Sequence, residues 1–273
     1  MKRTNESRII ETDADIHTGV RILRRKCTHL RRVHDQAGDP PLRRHAPGFE
    51  GLARIVVGQQ LSIASAEAIW RRVSVTVTPM KPASLSMLTD EDLRAAGLSR
   101  AKVRTLRAIA EAVDNGLNLE KLAAEPEGAV HEALTAVHGV GPWTADIFLL
   151  FCIGRTDAFA ADDLALQIAT RNALGLKERP SREELLTIAE RWRPWRGVAA
   201  RMLWNFYMLR QGRGKASEGT RITSNLADRR MHAAARGNGR WRPSQSGYAR
   251  LVSRPKRLGE SDSATRTYRT LET

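Results

Sequence analysis

The sequence predicts an all-α protein. Apolar residues recur at helical spacing through most of the first 210 positions, cap and stop residues bound these runs, and stretches with the two-residue period of a strand are almost missing. VSVTVT (73–78) is the best strand candidate. Ile16, Val20, Ile22, Leu23, Cys27 and Leu30 place a helix over about 13–35, followed by the Pro-rich connection GDPPLRRHAPGF (38–49). Residues 49–76 read as a long apolar helix with a break near Gly58 and the paired glutamines. Thr89 caps a short helix, with Asp92 three residues on, and Gly97 ends it. Ser99 opens another, which Asn115-Gly116 closes. Further helices are expected at 127–136, 142–153, 163–174, 181–191 and 196–210.

Composition narrows the function. Of 273 residues, 27% are charged and the formal net charge is +15. A protein this basic suits a polyanion, because each phosphate it neutralises releases condensed counterions. No basic amphipathic helix with an exposed apolar face argues for a membrane surface. Two distant cysteines, Cys27 and Cys152, exclude a disulfide framework and a four-cysteine zinc or iron–sulfur site. No signal-length apolar run opens the chain, so a cytoplasmic, DNA-associated location is expected.

Three segments follow from these patterns: a flexible leader at 1–12, a helical domain at 13–210 and a basic tail at 211–273. The tail has 14 Lys and Arg against 5 Asp and Glu, so it holds +9 of the +15. It lacks apolar periodicity and is expected to be disordered.

The most informative stretch is LTAVHGVGPWTADIFLL (134–150). A helix ends near Val137. His138-Gly139-Val140-Gly141 then makes a tight turn, and Pro142 sits where its missing N–H costs nothing. Val140 would plug the turn into the core, and the amides that open the next helix form an anion site suited to a DNA phosphate. Asp162 and Asp163 follow about twenty residues later, at the start of another helix.

These segments resemble the helix-hairpin-helix DNA glycosylase superfamily, in its DNA-3-methyladenine glycosylase II branch. Two further blocks carry the likeness: GLARIVVGQQLSIASAEAIWRRV (51–73) and RWRPWRGVAARMLWNFY (191–207). The resemblance spans about residues 15–210. It implies a two-lobed fold, with 50–150 as the central lobe and 13–49 plus 151–210 as the flanking lobe. The active-site cleft would lie between them. This would be a compact form, since too few residues precede Phe49 for the amino-terminal β-domain of larger members.

The resemblance makes Asp163 the catalytic carboxylate and Asp162 a helix cap. Bifunctional members carry a lysine at the position of Trp143. Its absence here implies a monofunctional hydrolase without lyase activity. Trp143 and Trp204 would line the base pocket, although core packing is an alternative for both, and Trp192 and Trp195 are read as structural. Gln60 or Leu61 would fill the gap left by the flipped base. The backbone from Gly139 through Val140 and Gly141 to Thr144 would grip a phosphate. Carbonyls near Thr135, Val137 and Val140 would hold a bound Na+ or K+, with no other cofactor. His138 departs from the proline usual in the family.

The implied substrates are alkylated purines such as 3-methyladenine and 7-methylguanine, excised from double-stranded DNA in base excision repair by a protein expected to be a monomer. Two other readings use the same residues. One is a non-catalytic DNA-binding helix-hairpin-helix protein. The other is a glycosylase for other damaged or mismatched purines.

Overall fold

The computed structural model describes residues 8–212. The first helices are α1 (Asp13–Lys26) and α2 (Thr28–Ala37), then α3 (Phe49–Gly58) and α4 (Ile63–Thr76). Two short helices, α5 (Pro82–Ser86) and α6 (Asp90–Ala95), lead into α7 (Arg100–Asp114). A 3-10 turn at Lys121–Ala124 precedes α8 (Glu127–Thr135) and α9 (Pro142–Phe148). After a π turn at Leu149–Ile153 come α10 (Leu164–Leu174), α11 (Arg182–Ala189) and a 3-10 turn at Glu190–Trp192. The last helix, α12, covers 196–212. Among the described residues there is no strand, only one isolated bridge between Ile9 and Arg155.

Helix α3 packs against α4, α7 and α9, which forms a central group. Its Leu52, Ala53, Val56 and Val57 are fully buried, and Val103, Leu106, Ile109 and Ala110 put one face of α7 in the same core. A flanking group joins α1 and α2 to α10, and α10 to α11. Local signals work as read. Thr89 and Asp92 form a reciprocal capping box, Ser99 caps α7 through the Lys102 amide, and Gly97 and Gly116 end their helices with positive φ.

Three expectations need correction. The helix expected over 13–35 is two helices, broken at an extended Cys27. Ile16, Val20, Leu23, Cys27, Leu30 and Val33 are all buried, so the apolar stripe runs through the break and hides it. Arg24 holds the bend by reaching His34 and Asp35 on α2. The strand candidate 73–78 lies mostly in α4: Val73 and Val77 are buried four residues apart, while Val75 between them is 78% exposed. β-branched composition suggested a strand, and burial against α7's neighbours imposed the helical period.

The leader is not loose over its described part. Ile10 is fully buried, its N–H donates to the Gly154 carbonyl, and the Thr156 N–H donates to the Arg8 carbonyl. At the other end α12 runs to residue 212, and the rest of the expected 211–273 tail lies outside the described residues.

Candidate active site

The hairpin between α8 and α9 has the predicted form. Val140 is buried and its N–H donates to the Val137 carbonyl, while Gly141 caps α9 ahead of Pro142. Gly139 is required twice over. Its φ is 81°, and a Cβ there would collide with the hydroxyl of Thr105 on α7. His138 is exposed in this turn.

The phosphate-gripping backbone expected from Gly139 to Thr144 is narrower than read. The Val140 and Thr144 amides donate to the Val137 and Gly141 carbonyls, so neither is free for an anion. Thr144 is 2% exposed, and its hydroxyl accepts from the Gln59 amide. Thr144 therefore ties the α3–α4 loop to α9 from a buried position.

Asp163 is the N-cap of α10, not the first residue of the helix. Its Oδ1 accepts from the Leu166 amide at 2.9 Å and from the Trp204 indole at 2.9 Å. Its Oδ2 accepts from the Trp143 indole at 3.0 Å. Trp143 comes from the hairpin helix and Trp204 from α12, so three elements converge on one half-buried carboxylate. The helix N-terminus stabilises its negative charge. Both indoles are half-buried and pack against the core on one side, while their N–H groups are engaged by Asp163. Trp192 and Trp195, by contrast, are buried in the core.

Asp162 does not cap the helix. It is exposed and pairs with Arg182 of α11 at 3.1 Å. The reason is geometric: the chain enters α10 one residue later, so the second aspartate of the pair has the N-cap torsions.

Gln60 and Leu61 lie in the exposed loop between α3 and α4, with Leu61 38% and Ile63 55% exposed. Gln60 has a left-handed φ of 56°. Lys102 of α7 underpins this loop. Its ammonium donates to the carbonyls of Val57 at 2.7 Å and Gln59 at 2.9 Å, at the open end of α3. Burial lowers the Lys102 pKa.

Several positioning residues were not legible from sequence. Phe151 sits in the π turn after α9 and packs on Trp204, with ring centroids 5.5 Å apart. Asp157 is buried and ties the chain before α10 to α12 through Arg196, at 3.0 Å, and also holds Arg193. Gly197 approaches the Arg155 and Thr156 carbonyls closely, and its own N–H donates to Thr156. The Trp-Arg pattern at 191–196 is the sequence signal of this knot, carried by its arginines.

Comparison with known proteins agrees with this fold. Residues 53–194 match the model of the HhH-GPD superfamily base excision DNA repair proteins. DNA-3-methyladenine glycosylase 1 of Schizosaccharomyces pombe is 34% identical over 161 residues, covering 57% of this chain and 71% of that protein. The structure of the same yeast's 3-methyladenine DNA glycosylase in complex with abasic DNA superimposes with a TM-score of 0.60 at 30% identity, over 65% of this chain and 93% of that one. A DNA-3-methyladenine glycosidase from Bacillus halodurans gives a TM-score of 0.60 at 33% identity, over 69% of this chain and 88% of that one. This chain belongs to the HhH-GPD superfamily of base excision DNA repair proteins.

Proposed function

We propose that this protein is a monofunctional DNA glycosylase that removes alkylated purines by hydrolysis of the N-glycosidic bond. The observation that carries the reading is the Asp163 carboxylate, held by three N–H donors at the meeting of α9, α10 and α12. A carboxylate has about four lone-pair directions. Two on Oδ1 and one on Oδ2 are taken, which leaves one on Oδ2. That oxygen is the one available to the sugar.

Departure of the base leaves positive charge on the sugar ring. A fixed anion beside that ring stabilises the charge and orients the attacking water. Alkylation at N3 or N7 makes the base a cationic leaving group, so little acid assistance is needed. Trp143 stands where bifunctional members have a lysine. An indole N–H bound to Asp163 is no amine nucleophile, so the product is an abasic site in an intact strand.

The exposed Gln60–Leu61 loop would enter the duplex to replace the extruded base, braced by Lys102 and by Gln59 on Thr144. The hairpin would hold the strand through the amides not already engaged. The carbonyls of Thr135, Val137 and Val140 offer only neutral oxygens, and that of Val137 already accepts from Val140, so the set fits a monovalent cation and not a divalent one. Double-stranded DNA with a damaged base is the partner, bound by a monomer. No helix among the described residues is long and apolar enough to cross a membrane.

The test is a single-turnover assay on methylated duplex DNA. Free 3-methyladenine should be released, and the strand should stay whole until alkali cleaves the abasic site. DNA binding without base release from any lesion would leave the non-catalytic reading in its place, and strand nicking without alkali would refute the monofunctional one.

A further inference from the structure

The two helices of the hairpin are joined by a second carboxylate. His131 on α8 donates from Nε2 to Asp146 Oδ1 on α9 at 2.7 Å. Among the described residues no other side chain of α8 hydrogen-bonds to α9. Asp146 is 9% exposed and stands among Thr144, Ala145, Ile147 and Phe148, all of them buried. A charge in that setting is costly, and an apolar side chain would hold the two helices together about as well. An apolar contact would leave their register loose, whereas a short bond from one ring nitrogen to one oxygen fixes it.

The load on α9 makes its register matter. In seven residues this helix is tied to three other parts of the fold. The Trp143 indole donates to Asp163 at the start of α10, and the Thr144 hydroxyl accepts from Gln59 of the α3–α4 loop at 2.9 Å. Asp146, three residues after Trp143 and so its neighbour on the helix surface, holds α8. A slide or rotation of α9 on α8 therefore moves the Trp143 N–H against the Asp163 carboxylate.

Four charged groups bear on the pair. The bond from Asp146 raises the His131 pKa above 6.5 against the effect of burial, and the charges of Asp146 and of Glu127 on α8 act in the same direction. Arg182 of α11 opposes them, but it is itself paired with Asp162 at 3.1 Å. Burial raises the Asp146 pKa, with Asp162 adding to it, while the His131 bond and charge and Arg182 pull it down. Below the raised His131 value an imidazolium meets the carboxylate. As pH rises through that value the ring becomes neutral, and the buried anion keeps only a weaker, uncharged donor.

We propose that His131 and Asp146 are positioning residues for base release: their bond sets α9 so that the Trp143 N–H orients Asp163, and it holds most firmly while the imidazole is charged. The inference rests on the glycosylase reading above, since Asp163 is the group that is oriented.

The test uses the full chain labelled with 5-fluorotryptophan, with Trp143→Phe identifying the Trp143 resonance. Fluorine NMR and single-turnover release from methylated duplex, corrected for loss without enzyme, are followed across neutral pH. In the wild type the Trp143 resonance should titrate with a midpoint above 6.5. Base release should fall about threefold or more as pH rises through the same midpoint. His131→Gln keeps a neutral donor, so both titrations should vanish and release should stay at the wild-type rate of the high-pH side. Asp146→Asn keeps an acceptor but not the charge that raises the His131 pKa, so its midpoint should lie below that of wild type. This second variant decides if His131→Gln does not fold.

A pair with a structural role alone would change melting temperature with pH and leave both readouts of the folded protein flat. A flat Trp143 resonance in the wild type, or one that titrates unchanged in both variants, overturns the proposal. The resonance needs no catalysis, which separates this proposal from the general reading. If it follows His131 but no base is released at any pH, the glycosylase reading falls and the hold on Trp143 stands. If base is released at a rate that ignores His131, the reverse is true.

Discussion

Asp163→Asn separates the electrostatic role of this side chain from its structural one, because its two oxygens have different partners. The amide keeps the shape and one carbonyl oxygen. Placed as Oδ1, that oxygen retains the Leu166 amide and the Trp204 indole. The new NH2 group then faces the Trp143 indole, a donor against a donor across a 3.0 Å contact. Leaving a half-buried donor without its charged acceptor costs about 1.5–3 kcal/mol. In a domain of this size that lowers Tm by roughly 3–12 °C. Loss of the anion should reduce single-turnover base release by about 10²–10³, the scale for removing one preorganised group that stabilises transition-state charge. Binding to abasic-site DNA should change little. Adding Trp143→Phe removes the opposed donor, so Asp163→Asn/Trp143→Phe should be more stable than the sum of the single variants by about 1–2 kcal/mol, with no recovery of activity. Thermal melts and single-turnover release on methylated DNA read both effects. Stabilities that simply add, or base release by Asp163→Asn within a few-fold of wild type, would refute this account of the site.

Gly139→Ala should cost about 2 kcal/mol or more, because the left-handed φ and the Thr105 hydroxyl both oppose a Cβ; urea melts measure it, and duplex binding should weaken with it. Asp157→Asn removes the buried counter-charge of Arg196, which keeps only the exposed Glu190 at 3.3 Å, and should destabilise the fold by about 3 kcal/mol in the same melts. Lys102→Met removes two charge-assisted bonds to the end of α3. Its half-buried setting limits the expected stability loss to about 1–2 kcal/mol, whereas base extrusion, followed by 2-aminopurine fluorescence beside the lesion, should slow more than Tm falls. Burial pushes the Cys152 thiol up to about 12, so at pH 8 it stays protonated and should react with Ellman's reagent only after unfolding.

Much of this molecule was legible because its signals are local. The Thr89–Asp92 box, the Ser99 cap and the glycine stops depend on neighbours within a few residues, and sequence spacing carries them directly. The hairpin was legible for the same reason, since Gly139, Val140, Gly141 and Pro142 are consecutive. What failed was tertiary. Whether Cys27 bends the chain depends on Arg24 reaching α2, and whether 73–78 is strand or helix depends on which side chains the core accepts. Phe151 and Arg201 are fifty residues apart and meet through a π turn that no spacing rule announces. Asp163 was found through a family pattern, but its two indole donors, one from each side, are a fact of packing alone.

The exchange between Asp162 and Asp163 explains why the pair is ordered as it is. A capping aspartate is normally a stability device: one oxygen takes an amide and the other faces water. Here Asp163 keeps that bond to Leu166 and gives two more directions to the indoles, with one on Oδ2 left over, so the cap also fixes the orientation of the carboxylate. A freely rotating side chain would have to be ordered as charge develops on the sugar; a cap is ordered in advance by folding. The same arrangement makes one weakness unavoidable. Any change that loosens the first turn of α10 displaces the anion, so α10 stability and base release should fall together. Asp162, on the Arg182 contact outside the turn, is free of that constraint. Its replacement by Asn should leave release nearly unchanged in the same single-turnover assay, and a loss comparable to that of Asp163→Asn would mean that the wrong member of the pair has been assigned to the sugar.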